Sequence, residues 1–119
     1  MAVIAIIDDE EIYRIFIENE ISSKEYSCKM FSDFSSFFDS LDQNPTNYDA
    51  VIVDRLVGSE DAIKHRFPES CRQSGYKGPI FLYTNYSSLG FLSSELNGFD
   101  LILKKGDLID WQKLLSENI

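Results

Sequence analysis

Five short apolar runs alternate along the chain with stretches of helical periodicity. The runs are Val3–Ile7, Tyr26–Phe31, Ala50–Val53, Ile80–Tyr83 and Leu101–Leu103. Apolar runs of this length are typical of strands that are buried on both faces, as in a parallel sheet covered by helices. The strict alternation of strand and helix therefore predicts an α/β fold whose crossover connections are right-handed.

The helical segments carry apolar residues at spacings of three and four positions, which predict one buried face for each helix. The residues expected on these faces are Ile12, Ile15, Phe16 and Ile21 in the first helix, Phe34, Phe37, Phe38 and Leu41 in the second, Leu89, Leu92 and Leu96 in the fourth, and Leu108, Trp111, Leu114 and Leu115 in the last. We expect Ser32 or Asp33 to cap the second helix and Asp107 to cap the last. The third helix either starts near Glu60 and is cut short, or begins with Pro68 in its first turn after a long loop, which we prefer.

With 119 residues the chain fits one domain, spanning residues 1–119, that buries most of its apolar surface. Its 11 basic and 20 acidic residues give a net charge of −9, which argues against nucleic-acid binding because phosphate contacts need a basic face. The apolar start, Met1–Ile7, is too short to cross a membrane and lacks the basic residues of a signal peptide. Since Cys28 and Cys71 lie in no metal-ligand spacing, we expect free thiols and a cytoplasmic location.

Polar residues follow four of the five predicted strands. They are Asp8 and Asp9 after the first, Asp54 after the third, Thr84 after the fourth, and Lys104 or Lys105 after the fifth. Five strands of this size suit a five-stranded parallel sheet in the flavodoxin-like, doubly wound order 2-1-3-4-5 with helices on both faces, and ligands bind outside the carboxyl ends of such strands. Strands 1 and 3 are neighbours in this order, so we expect Asp54 to lie beside Asp8 and Asp9.

The chemistry of these side chains is that of phosphoryl transfer assisted by a cation. Clustered carboxylates repel one another unless a cation joins them, and hard oxygen ligands suit Mg²⁺. A carboxylate also acts as a nucleophile that carries a phosphoryl group. The charge on the transferred group is stabilised by a metal, a lysine and a hydroxyl placed around it. The set therefore predicts Mg²⁺-dependent phosphorylation of a carboxylate.

In its motifs the chain resembles a response-regulator receiver domain of the CheY-like superfamily over nearly its whole length. The matching segments are Ile6–Glu10, Val51–Asp54, Pro79–Thr84 and Gly98–Lys105. Each segment alone is a weak signal, but four in this order and at about the family's spacing are specific.

The resemblance assigns a role to each acid at the sheet edge. It implies that Asp54 is the phosphoacceptor and that Asp8, Asp9 and Asp54 supply carboxylates to Mg²⁺. It also implies that Leu56 lends its backbone carbonyl to the metal ion.

The hydroxyl and the lysine are assigned by position in the same way. Thr84 resembles the hydroxyl that turns toward the phosphoryl group on activation. Lys105 resembles the invariant lysine, because its position along the sequence, counted from Gly98, favours it over Lys104. Lys104 remains the second candidate.

The resemblance implies a receiver in a two-component or phosphorelay signalling system. Its phosphodonor would be a histidine kinase or a phosphotransfer protein. Its downstream partner would be a protein that binds the face formed by the fourth helix, the last strand and the last helix. The phosphoryl chemistry is self-directed, so we do not expect an enzyme.

Departures from the family's pattern leave other interpretations open. Gly106 stands where a proline usually follows the lysine, Asn85 where a small residue usually follows the hydroxyl, and Ile102 at the position of the switch aromatic. Together with Val57–Ser59 after the acceptor, they allow a degenerate receiver-like interaction module that works without phosphorylation. A phosphatase or mutase with an aspartate nucleophile would need a second aspartate at position 56, where this chain has Leu56. A flavodoxin would need a glycine- and hydroxyl-rich phosphate loop after the first strand, where this chain is acidic. The sequence therefore argues against both classes.

Overall fold

A computed structural model describes residues 1–85 and 98–119 of the chain. Its strands are β1 (Ala2–Ile7), β2 (Tyr26–Phe31), β3 (Ala50–Val53), β4 (Leu56–Val57), β5 (Glu60–Asp61), β6 (Ile80–Thr84) and β7 (Leu101–Lys104). Its helices are α1 (Glu11–Ile21), α2 (Phe34–Gln43), α3 (Phe67–Gln73) and α4 (Trp111–Asn118). Five strands form one parallel sheet in the order β2-β1-β3-β6-β7. Because β6 and β7 are the predicted fourth and fifth strands, the predicted sheet order is confirmed.

The sheet separates two apolar clusters, one on each face. Val51 and Val53 of β3 belong to the cluster that also contains residues of α2 and α3. Ala50 and Ile52 belong to the other cluster, which contains residues of α1 and α4. All four residues of β3 are buried, so the sheet is covered on both faces as its uninterrupted apolar strands predicted.

The buried face of α1 differs from the predicted stripe. Ile17 and Ile21 are buried, whereas Ile12 is 73%, Ile15 45% and Phe16 47% exposed. The physical reason is a polar contact at the start of the helix, where the Arg14 guanidinium donates a hydrogen bond to the backbone carbonyl of Asp8 at 2.6 Å. This contact, together with the burial of Ile17 and Ile21, fixes the rotation of α1 so that its apolar first turn faces outward.

The last helix begins later than expected. Asp110, rather than Asp107, caps α4, because its carboxylate accepts a hydrogen bond from the backbone N–H of Lys113 at 3.2 Å. Leu108 therefore lies before the helix and is fully exposed. Trp111 and Leu115 are buried as predicted.

The remaining helices agree with the sequence where they are described. Asp33 caps α2 by accepting a hydrogen bond from the Ser36 backbone N–H at 2.7 Å, and α3 carries Pro68 in its first turn after a loop. The predicted helix with Leu89, Leu92 and Leu96 lies outside the described residues. Among the described residues, no helix is both long and apolar enough to span a membrane.

A short hairpin that the sequence analysis did not predict follows Asp54. Leu56 pairs with Asp61 and Val57 with Glu60 in antiparallel register. The hairpin turns at Gly58, whose φ of 63° lies in the left-handed region that glycine adopts without strain. Its signal in the sequence is the two-residue Gly-Ser turn after Leu56 and Val57. Glu60 and Asp61, which follow the turn, belong to residue types that are depleted in strands, so the signal is weak.

Candidate functional site

Backbone pairing at the carboxyl edge of the sheet extends one residue beyond three of the strands. The Asp54 N–H donates to the Ile7 carbonyl at 3.0 Å, and the Lys105 N–H donates to the Thr84 carbonyl at 2.8 Å. The Asp8 N–H is held in the same way by β2. These bonds hold the polar side chains on the sheet itself rather than on free loops.

The three acids predicted at this edge lie together. Asp8, Asp9 and Asp54 each place one carboxylate oxygen within 4.8 Å of the others. Asp8 is buried, the Asp54 side chain is 13% exposed and Asp9 faces solvent. Mg²⁺ binds to a few carboxylate oxygens and keeps several water ligands. This cluster supplies the carboxylates, and its solvent-exposed side leaves room for the waters. The residues present therefore fit a magnesium ion.

Lys105 is the cation that joins two of these acids, Asp8 and Asp54. Its Nζ donates hydrogen bonds to Asp8 Oδ2 at 2.7 Å and to Asp54 Oδ2 at 3.0 Å, and its side chain is only 3% exposed. Lys104 is exposed at the end of β7. The geometry therefore places Lys105, and not the reserve candidate Lys104, among the carboxylates.

Burial and charge shift the pKa values of the acceptor and the lysine. Desolvation raises the pKa of Asp54, and the negative charge of Asp8 raises it further, although Lys105 and Thr84 act in the opposite direction. Burial alone would lower the pKa of Lys105, but its hydrogen bonds to Asp8 and Asp54 and their charges outweigh burial, so its pKa is raised. The ammonium therefore remains charged at neutral pH, and its positive charge favours the ionised form of Asp54.

Thr84 is buried at the end of β6. Its hydroxyl lies near enough to the Asp54 side chain to favour the ionised carboxylate, which lowers the pKa of Asp54. The other oxygen of the acceptor, Asp54 Oδ1, accepts from the Arg55 backbone N–H at 2.7 Å. The hydroxyl that was expected to turn toward the site on activation thus already lies near the unmodified carboxylate.

The positions that depart from the receiver pattern have distinct surroundings. Gly106 follows the lysine with a φ of 96°, a conformation that L side chains rarely adopt. Asn85 is exposed beside the site. Ile102 is half-buried and packs against an apolar cluster of the core. Tyr83, which was expected to be buried in its strand, is 3% exposed and packs edge-on against Trp111.

The hairpin after the acceptor contacts one acid of the cluster, Asp9. The Gly58 backbone N–H donates to Asp9 Oδ2 at 3.0 Å, and Arg55 forms an ion pair with Asp61 at 3.4 Å. Leu56 begins β4, two residues after Asp54, and its backbone carbonyl stays a predicted metal ligand. Neither contact was predicted, because both depend on how the hairpin folds back over the site.

A second residue that the sequence analysis missed is Tyr13. Its ring centroid lies 3.7 Å from the Lys105 Nζ. Among the described residues, this is the shortest of the cation–π contacts. The signal in the sequence was the position of Tyr13 in the first turns of the helix that follows the two acids, but the incorrect rotation assigned to that helix concealed it.

No protein-family model matches the chain, and no curated protein matches its sequence. Solved structures nevertheless share its fold over nearly its full length. A chemotaxis protein of Vibrio cholerae, CheY4, is 19% identical with a TM-score of 0.79, and the match covers 100% of this chain and 99% of that one.

Two further structures of response regulators contain bound groups. The Thermotoga maritima response regulator TrrA, in complex with Mg²⁺ and BeF, is 21% identical with a TM-score of 0.75, and the match covers 98% of this chain and 97% of that one. A Burkholderia pseudomallei response regulator with a phosphorylated aspartic acid and a calcium ion is 16% identical with a TM-score of 0.75, covering 98% and 70%. The chain therefore has the fold of response-regulator receiver domains, as its motifs indicated.

Proposed function

We propose that the chain is a phosphoacceptor receiver of a two-component or phosphorelay system, in which Asp54 accepts a phosphoryl group in a Mg²⁺-dependent reaction. The observation that carries this proposal is the Lys105 ammonium held between Asp8 and Asp54 at 2.7 and 3.0 Å. Asp9 lies in the same cluster of acids. An ammonium, a hydroxyl and three carboxylates at one sheet edge are the groups that such a transfer needs.

In this mechanism Asp8, Asp9, Asp54 and the Leu56 carbonyl would hold Mg²⁺. The bound ion would neutralise charge on the acceptor and on the incoming phosphoryl oxygens. Asp54 attacks the phosphorus atom of a phosphohistidine, and the phosphorus–nitrogen bond breaks with its electron pair left on the imidazole nitrogen. The product is an acyl phosphate on Asp54 and a neutral imidazole after uptake of one proton.

The buried lysine and threonine stabilise the transferred group. Once an Asp54 oxygen is bonded to phosphorus in the acyl phosphate, the negative charge beside Lys105 lies on the phosphoryl oxygens, and the Lys105 ammonium is free to donate to one of them. The Thr84 hydroxyl, already beside the carboxylate, donates to another. The new charge distribution would bias a surface that includes the last strand and the last helix, which a downstream protein recognises.

The phosphodonor would be a histidine kinase or a phosphotransfer protein that brings its histidine to Asp54. The exposed apolar residues Ile12, Ile15 and Phe16 lie on the helix that directly follows Asp8 and Asp9. They offer apolar area at the edge of the site for contact with such a donor. The phosphoryl group ends on the chain itself, so the protein is not an enzyme that turns over a separate substrate.

The alternative is a receiver-like interaction module that binds its partner without phosphorylation. It is favoured by Ile102, which packs against the core at the position where the family places a switch aromatic. This version needs neither a metal ion nor the chemistry of Asp54.

A titration with Mg²⁺ and beryllofluoride, followed by amide NMR, separates the two proposals. We expect Mg²⁺ alone to shift the amides of Asp8, Asp9 and Asp54. A further saturable shift, which includes the Thr84 and Lys105 amides, should appear only when beryllofluoride is added together with Mg²⁺, because beryllofluoride imitates a phosphoryl group on the acceptor. The Asp54→Ala variant is the control and should show no response to beryllofluoride. A wild-type spectrum that remains unchanged would support the interaction module instead.

A further inference from the structure

We propose that Tyr13 is a positioning residue of the phosphoacceptor site, because the face of its ring holds the Lys105 ammonium between Asp8 and Asp54. This inference rests on the proposed function and deepens it. It adds an aromatic contact to the acids, the hydroxyl and the lysine described above.

The surroundings of the ammonium carry the inference. A lysine ammonium has three N–H donors, and two of its neighbours are the Asp8 and Asp54 carboxylates at 2.7 and 3.0 Å. The Tyr13 ring centroid lies 3.7 Å from Nζ, well within the distance at which the negative face of an aromatic ring attracts a cation. The Tyr83 centroid lies farther away, at 5.8 Å. Since the lysine side chain is only 3% exposed, the Tyr13 ring takes a side that water would otherwise occupy.

The position of Tyr13 is tied to Asp8, one of the two acids that bind the lysine. Asp8 Oδ1 accepts a hydrogen bond from the Glu10 backbone N–H at 2.9 Å. The Glu10 carbonyl in turn accepts from the Tyr13 backbone N–H at 3.1 Å. Arg14 donates to the Asp8 carbonyl at 2.6 Å. The first turn of α1 is therefore fixed to Asp8, and the ring is held over Lys105 by the backbone.

A ring suits this place better than another hydrogen-bonding group. When Asp54 becomes an acyl phosphate, the Lys105 ammonium must turn from the carboxylate oxygen toward a phosphoryl oxygen. A third carboxylate would bind the ammonium firmly and add negative charge, which opposes an incoming phosphoryl group. The Tyr13 face attracts the cation without a directional hydrogen bond, so it holds the ammonium in the pocket and leaves it free to turn.

The Tyr13 ring also covers one side of the Lys105 ammonium. Beyond it lies an apolar cleft of about 330 Å³. The cleft is lined by Ile12, Tyr13, Phe16, Tyr83 and Gly106. Tyr13 thus stands between this open cleft and the buried ammonium, and its loss would admit water to Lys105.

The test compares Tyr13→Leu with Tyr13→Phe in acetyl phosphate and Mg²⁺, with the rate of phosphoryl addition followed by intact-protein mass spectrometry. We expect Tyr13→Leu to react about 5- to 30-fold more slowly, because a desolvated cation–π contact is lost. Tyr13→Phe keeps the ring and should react at the wild-type rate. Phe38→Leu removes a half-buried ring from α2, which packs on the other face of the sheet, and should leave the rate unchanged.

A graded change of the ring distinguishes this contact from simple packing. Successive fluorination of a phenylalanine at position 13 weakens the negative face of the ring at nearly constant shape, so the rate should fall stepwise. The Lys105 ε-methylene protons should also show an upfield ring-current shift in the wild type and in Tyr13→Phe, and lose it in Tyr13→Leu.

The outcomes separate this inference from the function on which it rests. A wild type that takes no phosphoryl group overturns the proposed function, and the positioning role falls with it. A wild type that is phosphorylated no faster than Tyr13→Leu overturns the inference alone. An absent ring-current shift, or a rate that does not respond to fluorination, overturns it as well.

Discussion

Replacing Lys105 by methionine lowers the rate at which acetyl phosphate and Mg²⁺ phosphorylate Asp54 by about 10²- to 10³-fold, the usual effect of removing one preorganised donor to a developing charge. Lys105 is the buried ammonium between Asp8 and Asp54. Methionine keeps much of the length of the side chain but brings no charge, so the phosphoryl oxygens lose a buried cation. The measurement is a time course of phosphoryl addition by intact-protein mass spectrometry at saturating Mg²⁺.

Lys104→Met is the matched control. Lys104 is exposed on the preceding residue, so its replacement should leave the rate unchanged. If Lys104→Met slowed phosphorylation as much as Lys105→Met does, the assignment of Lys105 as the lysine of the site would be wrong. Because removing one partner from a buried ion pair costs about 3–5 kcal/mol, the fold of Lys105→Met is checked by amide NMR. Lys105→Arg keeps the charge, and it should retain the fold and recover part of the rate if the methionine variant unfolds.

Mg²⁺ should stabilise the wild-type protein, and Asp9→Ala should remove most of this effect. A ligand that binds only the folded state adds about 2.7 kcal/mol to the free energy of unfolding at a concentration 100 times its Kd. Asp9 is the exposed member of the acid cluster, so its loss removes a proposed metal ligand while leaving the ion pairs of Lys105 in place. Urea denaturation with MgCl₂, and with NaCl at the same ionic strength, measures the difference.

The comparison of each variant with and without Mg²⁺ matters because Asp9 also has a structural contact. Its Oδ2 accepts a hydrogen bond from the Gly58 N–H at 3.0 Å, and losing this bond costs about 0.5–1.5 kcal/mol without any metal. Asp42→Ala removes an exposed acid from α2, outside the acid cluster, and should respond to Mg²⁺ as the wild type does. An Asp9→Ala variant that Mg²⁺ stabilises fully would rule out this acid as a ligand.

The sheet and the gathering of the acids could be predicted from the sequence because they follow from simple patterns. Apolar runs of strand length mark the strands, and strict alternation with helices fixes their parallel arrangement. The strand order then places the residue after β3 beside the residues after β1. The positions of Asp8, Asp9 and Asp54 follow from this topology alone, without any knowledge of side-chain packing.

The rotation of α1 could not be predicted in this way. Two apolar stripes exist on this helix, one through Ile12 and Phe16 and the other through Ile17 and Ile21. Periodicity alone does not choose between them. The choice depends on contacts with other elements, including the hydrogen bond from Arg14 to the Asp8 carbonyl. The contact between Tyr13 and Lys105 depends on that rotation, so it too was beyond the sequence pattern.

Locating the phosphoryl group on the chain tests most directly whether Asp54 is the phosphoacceptor. Incubation with acetyl phosphate and Mg²⁺, followed by borohydride reduction and peptide mass spectrometry, locates an acyl phosphate because reduction converts the modified aspartate to homoserine. We predict one phosphoryl group per chain, on Asp54, formed only when Mg²⁺ is present. A wild type that gains no phosphoryl group, or an Asp54→Ala variant that gains as much, would contradict the account.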